Sequence, residues 1–271
     1  MRIRVSHETS FAFPGATRAL HLALRMTPRS FDTQYVSRWR VGVDLDANLR
    51  PREDAFGSVV LALSWHKPVE RFTVSAQGEV ETSDAVGVLR GAAETLPADI
   101  FLRASPLAQA NGSLREFANT AGQGATDTLD RLHRLMAALH AEIAYEPGFG
   151  GEAPATEIFA MKKGGAADFA HAFIACARQA DIPARLVTGY RVEDAPGEAA
   201  EMYAWAEAFS PGLGWVAFDA VHDLCANDRY IRVATGLDAK DATPFRLWHN
   251  GLDSEVTATL RVEQAIWQGQ N

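Results

Sequence analysis

The chain contains two cysteines in 271 residues, Cys176 and Cys225, and it has neither a CxxC nor an HExxH motif. A disulfide framework and a structural zinc site are therefore not expected, and we expect neither a metal nor a cofactor. No apolar run approaches the roughly 20 residues that span a bilayer. The alternating N-terminus also lacks the apolar block of a signal peptide. These absences predict a cytoplasmic protein without a membrane partner.

Basic residues are outnumbered by acidic ones. The sequence has 26 Lys and Arg against 34 Asp and Glu, a formal net charge of −8 and a pI near 5.5. Nucleic-acid-binding domains usually carry a basic face, so no nucleic-acid partner is expected. Hydrophobic residues make up 47% of the chain and charged residues 22%. This composition is typical of a globular protein with a sizeable core, in one or two domains.

The first eighty or so residues alternate between apolar and polar side chains. Trp39, Val41 and Val43 are separated by Arg40 and Gly42, which is the period of half-buried strands. Residues 57–65 and 71–81 supply further strands, and His66, Lys67 and Pro68 break the pattern between them. This region predicts an N-terminal antiparallel β-sandwich, which we assign to residues 1–90.

From about residue 95 the apolar period becomes helical. Apolar residues from Leu129 to Ile143 recur on one helix face, and Asp127 is placed to cap that helix. A second helix follows Gly165, and after it come three strands and further β structure. The pattern predicts an α+β core at residues 91–271, with a helix packed on an antiparallel sheet and a C-terminal β extension.

The start of the second helix, in the segment "KKGGAADFAH", is the most informative position. A helix N-terminus lowers the pKa of a thiol and presents backbone donors, so it is a favoured place for a nucleophile. Ala166 stands at this junction and has no reactive atom. The segment indicates either an ordinary buried helix or an active site whose central residue is missing.

Four segments in order favour the second interpretation. "GGAADFAH", "DIPARLVTGY", "YAWAEAFSPGLGW" and "FDA" resemble the motifs of the bacterial transglutaminase-like family, part of the papain-like cysteine-hydrolase group. "MRIRVSHETSFAF", "LRMTPRS" and "DAFGS" are similar to the β domain that precedes the core in this family. "DRYIRVATGLDAKDATPFR" is similar to the family's closing segment. The resemblance covers nearly the whole chain.

The resemblance implies a Cys nucleophile, a His base and an orienting Asp. It places Ala166 at the nucleophile position and Tyr203 at the base position, so that Asp219 alone retains its residue type. An engineered Cys-to-Ala change would alter one position, whereas Ala166, Ala167 and Tyr203 all depart from the family pattern. The sequence thus predicts that no catalytic triad is intact. Four further residues are candidates for lining the cleft: Gly165, Asp168, Trp205 and His222.

Other reactive side chains are weaker candidates. Cys176 lies ten residues along the helix from Ala166, roughly 15 Å along its axis, and we interpret it as core. Cys225 is interpreted as a free structural thiol, and His171 as a packing and hydrogen-bonding residue. His222 follows Asp219 by three residues, so a rearranged base at this position stays open.

The function predicted from these residues is that of a pseudoenzyme. Its vestigial cleft would bind a peptide or protein, and the family implies peptide-bond-forming or peptide-modifying enzymes as possible partners. The acidic segment from Glu193 to Glu201 would overhang that cleft or form a solvated connection. Two alternatives stay open: an active amidase or protease that uses Tyr203 with His222, and a purely structural assembly module. The sequence leaves the oligomeric state open.

Overall fold

The computed structural model describes residues 1–193, 202–251 and 253–265. The acidic segment that the sequence analysis placed over the cleft therefore lies, after Glu193, outside the described residues. The N-terminal part consists of six strands: β1 (Arg2–Thr17), β2 (Leu20–Thr27), β3 (Gln34–Val43), β4 (Arg50–Glu53), β5 (Val59–Trp65) and β6 (Val69–Thr82).

The rest of the chain contains five α-helices and nine strands among the described residues. They are α1 (Gly112–Ala121), α2 (Thr128–Glu142), β7 (Ala144–Tyr145), α3 (Ala155–Met161), β8 (Lys163–Gly164), α4 (Ala166–Gln179), β9 (Ala184–Arg191), β10 (Tyr203–Ser210), β11 (Gly214–Asp219), β12 (Leu224–Cys225), β13 (Tyr230–Gly236), α5 (Ala239–Ala242), β14 (Phe245–His249) and β15 (Glu255–Gln264). A short 3₁₀ helix, Ala98–Leu102, precedes them.

The N-terminal strands form two packed antiparallel sheets. One sheet has the order β15-β1-β6-β3 and the other has the order β14-β2-β5-β4. Phe11 and Phe72 of the first sheet pack in one cluster with Leu22, Leu24 and other residues of the second. Burying each such side chain stabilises the fold by about 1.5–3 kcal/mol. The prediction of an N-terminal β-sandwich is confirmed.

The last two strands of the chain return to this sandwich. β14 pairs antiparallel with β2, and β15 pairs antiparallel with β1 along ten consecutive residue pairs. Each N-terminal sheet is therefore completed by a C-terminal strand. The division of the chain near residue 90 stays a prediction, and the pairing adds that residues from both ends of the chain build the same two sheets.

The core sheet has the order β12-β11-β10-β9-β13 and is antiparallel. Helix α4 packs on β10 and is buried from Ala166 to Arg178. The predicted α+β arrangement, a helix on an antiparallel sheet, is confirmed. The predicted cap of α2 is also confirmed, because the Asp127 side chain accepts a hydrogen bond from the backbone N–H of Asp130 at 2.8 Å.

A third apolar cluster joins the sandwich to the core sheet. It contains Ile3 and Val5 from β1, Leu260 from β15, Tyr190 from β9 and Ile231 from β13.

No helix among residues 1–193, 202–251 and 253–265 has the length and apolar character that crossing a membrane requires.

Candidate functional site

A glycine-rich loop closes over the start of α4. The backbone N–H of Ala166 donates to the carbonyl of Gly148 at 3.1 Å, and that of Ala167 donates to the carbonyl of Phe149 at 2.8 Å. Ala166 is 1% exposed. The first backbone donors of this helix, which an active site would aim at a developing oxyanion, are therefore occupied by the chain itself.

The close approach of the loop explains a glycine at the helix boundary. A Cβ on Gly165 would lie 2.7 Å from the Gly148 carbonyl oxygen, so a side chain there would push the loop away. Gly150, at φ +66°, and Gly151, at φ +85°, adopt left-handed backbone that glycine accepts at little cost. Gly165, a predicted cleft-lining residue, is buried beneath the loop.

The Asp168 carboxylate ties the same loop to the helix. It accepts hydrogen bonds from the backbone N–H of Gly151 at 2.8 Å and of Gly165 at 2.9 Å. Burial raises the pKa of Asp168, and the two backbone donors oppose that rise. Asp168, the third residue of α4, thus completes the cap at Gly165 from within the helix and holds the loop in place.

Asp219, at the end of β11, is the centre of a buried polar cluster. The Tyr203 hydroxyl donates to it at 2.9 Å, and the Tyr230 hydroxyl donates to it at 2.6 Å. The backbone N–H of Val221 adds a third donor at 3.0 Å. His222 Nδ1 lies 2.9 Å from Asp219 and 3.0 Å from the Tyr203 hydroxyl. The structure thus brings together three of the predicted residues, Tyr203, Asp219 and His222.

The two phenols of this cluster are hydrogen-bond donors and are unsuited to act as bases. Burial, together with the negative charge of Asp219, raises the pKa of Tyr203 well above its ordinary value of 10. Burial and Asp219 also raise the pKa of Tyr230. Both tyrosines therefore stay protonated at neutral pH, and each is held with its hydroxyl on the carboxylate.

Tyr230 and Arg191 were missed by the sequence analysis. Arg191 Nε donates to the Tyr230 hydroxyl at 3.1 Å, and its guanidinium lies 5.7 Å from the ring centroid of Tyr203. Both residues lie on strands, β9 and β13, that pair with each other across 39 residues of sequence. No local motif signals such a contact, because it depends on which strands become neighbours.

Tyr145 lies between the helix start and the Asp219 cluster. Its ring centroid is 6.3 Å from that of Phe169 on α4 and 6.4 Å from that of His222. Burial raises the pKa of Tyr145, and a hydrogen bond from the backbone of Gly148 opposes this rise. Tyr145 thus contacts one ring of α4 and one ring of the Asp219 cluster.

Neither thiol is activated. Cys176 is buried, which raises the pKa of its thiol, and its Sγ lies 3.8 Å from the Leu114 carbonyl. Burial raises the pKa of Cys225 to about 11. Both thiols are therefore protonated at neutral pH, and a thiol is a weak nucleophile. The interpretation of Cys176 as core is confirmed.

His171 also has a structural role. Its Nε2 accepts a hydrogen bond from the backbone N–H of Ala239 at 3.0 Å, which ties α4 to α5. Burial lowers the pKa of His171 to about 4, so the ring is neutral at pH 7. The prediction of a packing and hydrogen-bonding residue is confirmed.

The described side chains include no group of three or more His, Cys, Asp or Glu residues placed to hold a metal ion.

A cleft with a volume of about 890 Å³ opens beside the start of α4. It lies between the core and the first sandwich sheet. Its lining includes His7, Thr9, Phe149, Asp168, Phe245 and Arg246. Val256 and Ala258 of β15 form part of one wall, and Glu152 and Lys240 add charges of opposite sign. Of the four residues predicted to line a cleft, Asp168 is among those that line this one.

A buried histidine forms part of the cleft wall. His7 Nε2 lies 3.2 Å from the Thr9 hydroxyl, and His7 Nδ1 lies 3.2 Å from the Tyr190 hydroxyl. Burial lowers the pKa of His7 to about 4. The cleft therefore presents a neutral imidazole at pH 7, beside the aromatic rings of Phe149 and Phe245.

Trp205 lines a different cavity, of about 60 Å³. Its ring centroid lies 5.4 Å from that of Tyr230. The buried indole Nε1 has no hydrogen-bond acceptor among the described residues. The structure thus separates Trp205 from the larger cleft beside α4.

Helix α4 is buried against the antiparallel core sheet, and Asp219 ends one strand of that sheet. Residues 3–81 match the family model described as the bacterial transglutaminase-like N-terminal region, and residues 115–220 match the transglutaminase-like superfamily core. The chain therefore belongs to the bacterial transglutaminase-like family.

Individual relatives agree with this assignment. The uncharacterized protein ML0607 of Mycobacterium leprae (strain TN) is 26% identical over 270 residues, with 92% of this chain and 94% of that protein covered. The crystal structure of a candidate cysteine protease from Cytophaga hutchinsonii has a TM-score of 0.77 at 20% identity. It covers 99% of this chain and 92% of its own. At this identity the likeness shows the fold alone.

A more distant structure is the periplasmic domain of TgpA from Pseudomonas aeruginosa. It is 17% identical, covers 81% of this chain and 88% of its own, and has a TM-score of 0.38. This score is too low to support an inference about function or location.

Proposed function

We propose that this protein is a catalytically inactive member of its family, which binds a peptide or protein segment in the cleft beside α4. The observation that carries the proposal is the state of the helix start. Ala166 offers no nucleophilic atom, and its backbone N–H is already bonded to Gly148. The position that would attack a carbonyl and the donor that would stabilise the resulting oxyanion are both lost.

The size of the chemical loss supports inactivity. Removing the nucleophile of a catalytic triad costs on the order of 10⁶ in kcat, and removing the base adds little because the members act as a unit. Tyr203 does not replace the base, because burial and Asp219 raise its pKa. The protonated thiols of Cys176 and Cys225 do not replace the nucleophile.

The cleft itself supports binding. Its volume of about 890 Å³ is in the range of pockets that take ligands of several hundred daltons. Aromatic rings of Phe149 and Phe245 offer apolar contact, while Glu152, Lys240 and Arg246 offer charges of both signs. A short peptide carries both apolar side chains and charged groups, so it matches this lining.

A displayed library of linear peptides, selected on the intact protein, tests the binding half of the proposal. We expect selected peptides to bind in fluorescence anisotropy and Glu152→Trp to weaken binding at least tenfold, because the indole would fill the cleft. Glu157→Trp is the matched control, since Glu157 is exposed on α3 and makes the same change of charge. Equal binding by both variants, or failure to select any peptide, would contradict the proposal.

An active hydrolase with rearranged residues is the second candidate function. The observation that favours it is the distance of 2.9 Å between His222 Nδ1 and Asp219, which orients an imidazole whose side chain is 27% exposed. Ammonia release from glutamine peptides and cleavage of casein are the assays. We expect neither activity above background. Activity that His222→Ala abolishes would instead establish the hydrolase.

The binding partners and the cellular location of the protein are also part of the proposal. Peptide-bond-forming or peptide-modifying enzymes are the proposed source of the bound segment, because the family acts on amide groups. The cytoplasmic location inferred from the sequence is proposed on the same footing. A purely structural assembly role is the remaining alternative, and it predicts that filling the cleft with Glu152→Trp changes no binding event.

A further inference from the structure

Strand β15 is a long edge strand that stands apart from the other edges of the three large sheets. Among the described residues it pairs with β1 on one side, and it forms the end of its sheet on the other. It runs for ten residues with no register shift against β1 and contains no proline or lysine. Proteins usually protect such edges, because unpaired N–H and C=O groups recruit another strand.

The other five edges of these sheets are short or irregular: β14 has five residues, and β13 has a register irregularity between Arg232 and Ala234. β4 has four residues and includes Pro51, and β12 has two residues. β3, at the far edge of the same sheet, has a register irregularity between Val36 and Arg38. β15 is therefore the edge best suited to pairing with another strand.

The order of residues in β15 is self-complementary about Ala258. The segment reads Glu-Val-Thr-Ala-Thr-Leu-Arg from Glu255 to Arg261. In an antiparallel pair of two copies centred on Ala258, Glu255 of each copy lies opposite Arg261 of the other. Thr257 then lies opposite Thr259, and Val256 opposite Leu260. Opposite charges and threonines directly across a strand pair are favourable pairings.

Glu255 and Arg261 also lack a charged residue opposite them on β1. Glu255 faces Ala12 and Arg261 faces Ser6, whereas Glu263 faces Arg4. The side chains of Glu255 and Arg261 are both exposed, and Val256, next to Glu255, is 47% exposed. Strand β15 thus exposes two charges, Glu255 and Arg261, and one apolar side chain, Val256. A second copy paired with β15 would cover all three.

We propose that two copies of this chain pair through β15 about a two-fold axis at Ala258. The two four-stranded sheets then become one continuous sheet of eight strands, in a closed dimer with one self-complementary interface. Val256 and Ala258 also line the large cleft, so the dimer brings the two clefts side by side. The proposal concerns assembly and does not depend on what the cleft binds.

A charge-exchange experiment tests the interface on the intact chain. Sedimentation equilibrium of the wild type is expected to give about twice the chain mass of 29.4 kDa. Glu255→Arg places two arginines opposite each other, and Arg261→Glu does the same with two glutamates. Each variant alone is expected to dissociate at least tenfold more readily. An equimolar mixture of the two is expected to restore the dimer, because both facing pairs are then of opposite charge.

Glu70→Arg is the matched control, since Glu70 is exposed on β6 and makes the same change of charge as Glu255→Arg. It is expected to leave the dimer unchanged. A monomeric wild type overturns the proposal, and an added peptide that binds this monomer along β15 would assign the edge to peptide-strand addition. Single variants that remain dimeric, or a mixture that fails to recover the dimer, overturn the proposed register.

Discussion

Glu207 and Asp219 are both 1% exposed and both belong to the core sheet, but the charges of their partners differ. Glu207 accepts hydrogen bonds from Arg185 Nε and Arg232 Nε, each at 2.7 Å. Asp219 accepts from the hydroxyls of Tyr203 and Tyr230 and lies beside His222. One carboxylate is balanced by guanidinium groups, and the other is held mainly by uncharged donors.

The difference separates a buried carboxylate that ion pairs neutralise from one that is held mainly by hydroxyl groups. Burial disfavours the charge on Glu207, but the charges of Arg232 and Arg185 outweigh burial and lower its pKa to about 2. The Arg185 guanidinium also binds Glu94, which closes the cluster. Among the described residues no guanidinium is bonded directly to Asp219, and Arg191 Nε donates instead to the Tyr230 hydroxyl. Asp219 is therefore held mainly by hydroxyl groups, whereas Glu207 is held by guanidinium groups.

Glu207→Gln should produce the largest loss of stability. The substitution leaves the guanidinium of Arg185, which is 2% exposed, without its closest buried carboxylate. Removing one partner of a buried ion pair typically costs about 3–5 kcal/mol. Urea denaturation followed by circular dichroism measures the free energy of unfolding.

The exposed pair Arg29–Glu53 provides the control for this prediction. Its side chains are 44% and 46% exposed, so Glu53→Gln should change stability by about 0–1 kcal/mol. Similar losses in the two variants would mean that the Glu207 cluster contributes no more than a surface ion pair.

Most of the fold could be predicted from the sequence, because its strongest signals are local. Alternation in β1–β6, helical spacing in α2 and the cap at Asp127 each lie within a few residues. The return of β14 and β15 to the N-terminal sheets could not be predicted in the same way. Their pairing depends on contacts such as Thr9 with Ala258, which lie at opposite ends of the chain.

The sequence predicts which residues occupy the candidate site better than it predicts the contacts between them. The positions of Ala166, Tyr203 and Asp219 follow from the family motifs. The sealing of the helix start by Gly148 does not, because "PGFGG" has the composition of any flexible loop. Tyr230 is missed for a similar reason, since its partner Asp219 is eleven residues away on a strand that is not its neighbour.

Acid titration sharpens the comparison, because buried histidines should respond before Glu207 does. Burial lowers the pKa of His7 to about 4 from 6.5. The unfolded chain therefore takes up this proton first as the pH falls, and stability drops between pH 6.5 and 4, by at most about 3 kcal/mol for His7. Glu207 has a lowered pKa, so its contribution is present above pH 4.5 and is lost as the pH falls towards 2.

The variant His7→Gln isolates the first of these steps. Its free energy of unfolding, measured by urea denaturation at intervals from pH 7 to pH 4, should fall less steeply than that of the wild type. His66→Gln, at an exposed histidine, is the matched control for this substitution. Identical slopes for His7→Gln and the wild type would mean that His7 takes up its proton as readily in the folded chain as in the unfolded chain.

Tyr230→Phe tests the uncharged half of the comparison, and its expected effect is the smallest of the three. The change removes the hydroxyl that donates to Asp219 at 2.6 Å and accepts from Arg191 Nε at 3.1 Å, while the ring is retained. Hydrogen bonds to charged groups contribute about 1.5–3 kcal/mol. Tyr35→Phe, at a residue that is 62% exposed, should have no measurable effect. If Tyr230→Phe lowered the free energy of unfolding as much as Glu207→Gln does, the phenol hydroxyls would stabilise the fold as much as the guanidinium groups do. The Asp219 cluster would then be a structural element equal to the Glu207 cluster, because the sheet would depend on it to the same degree.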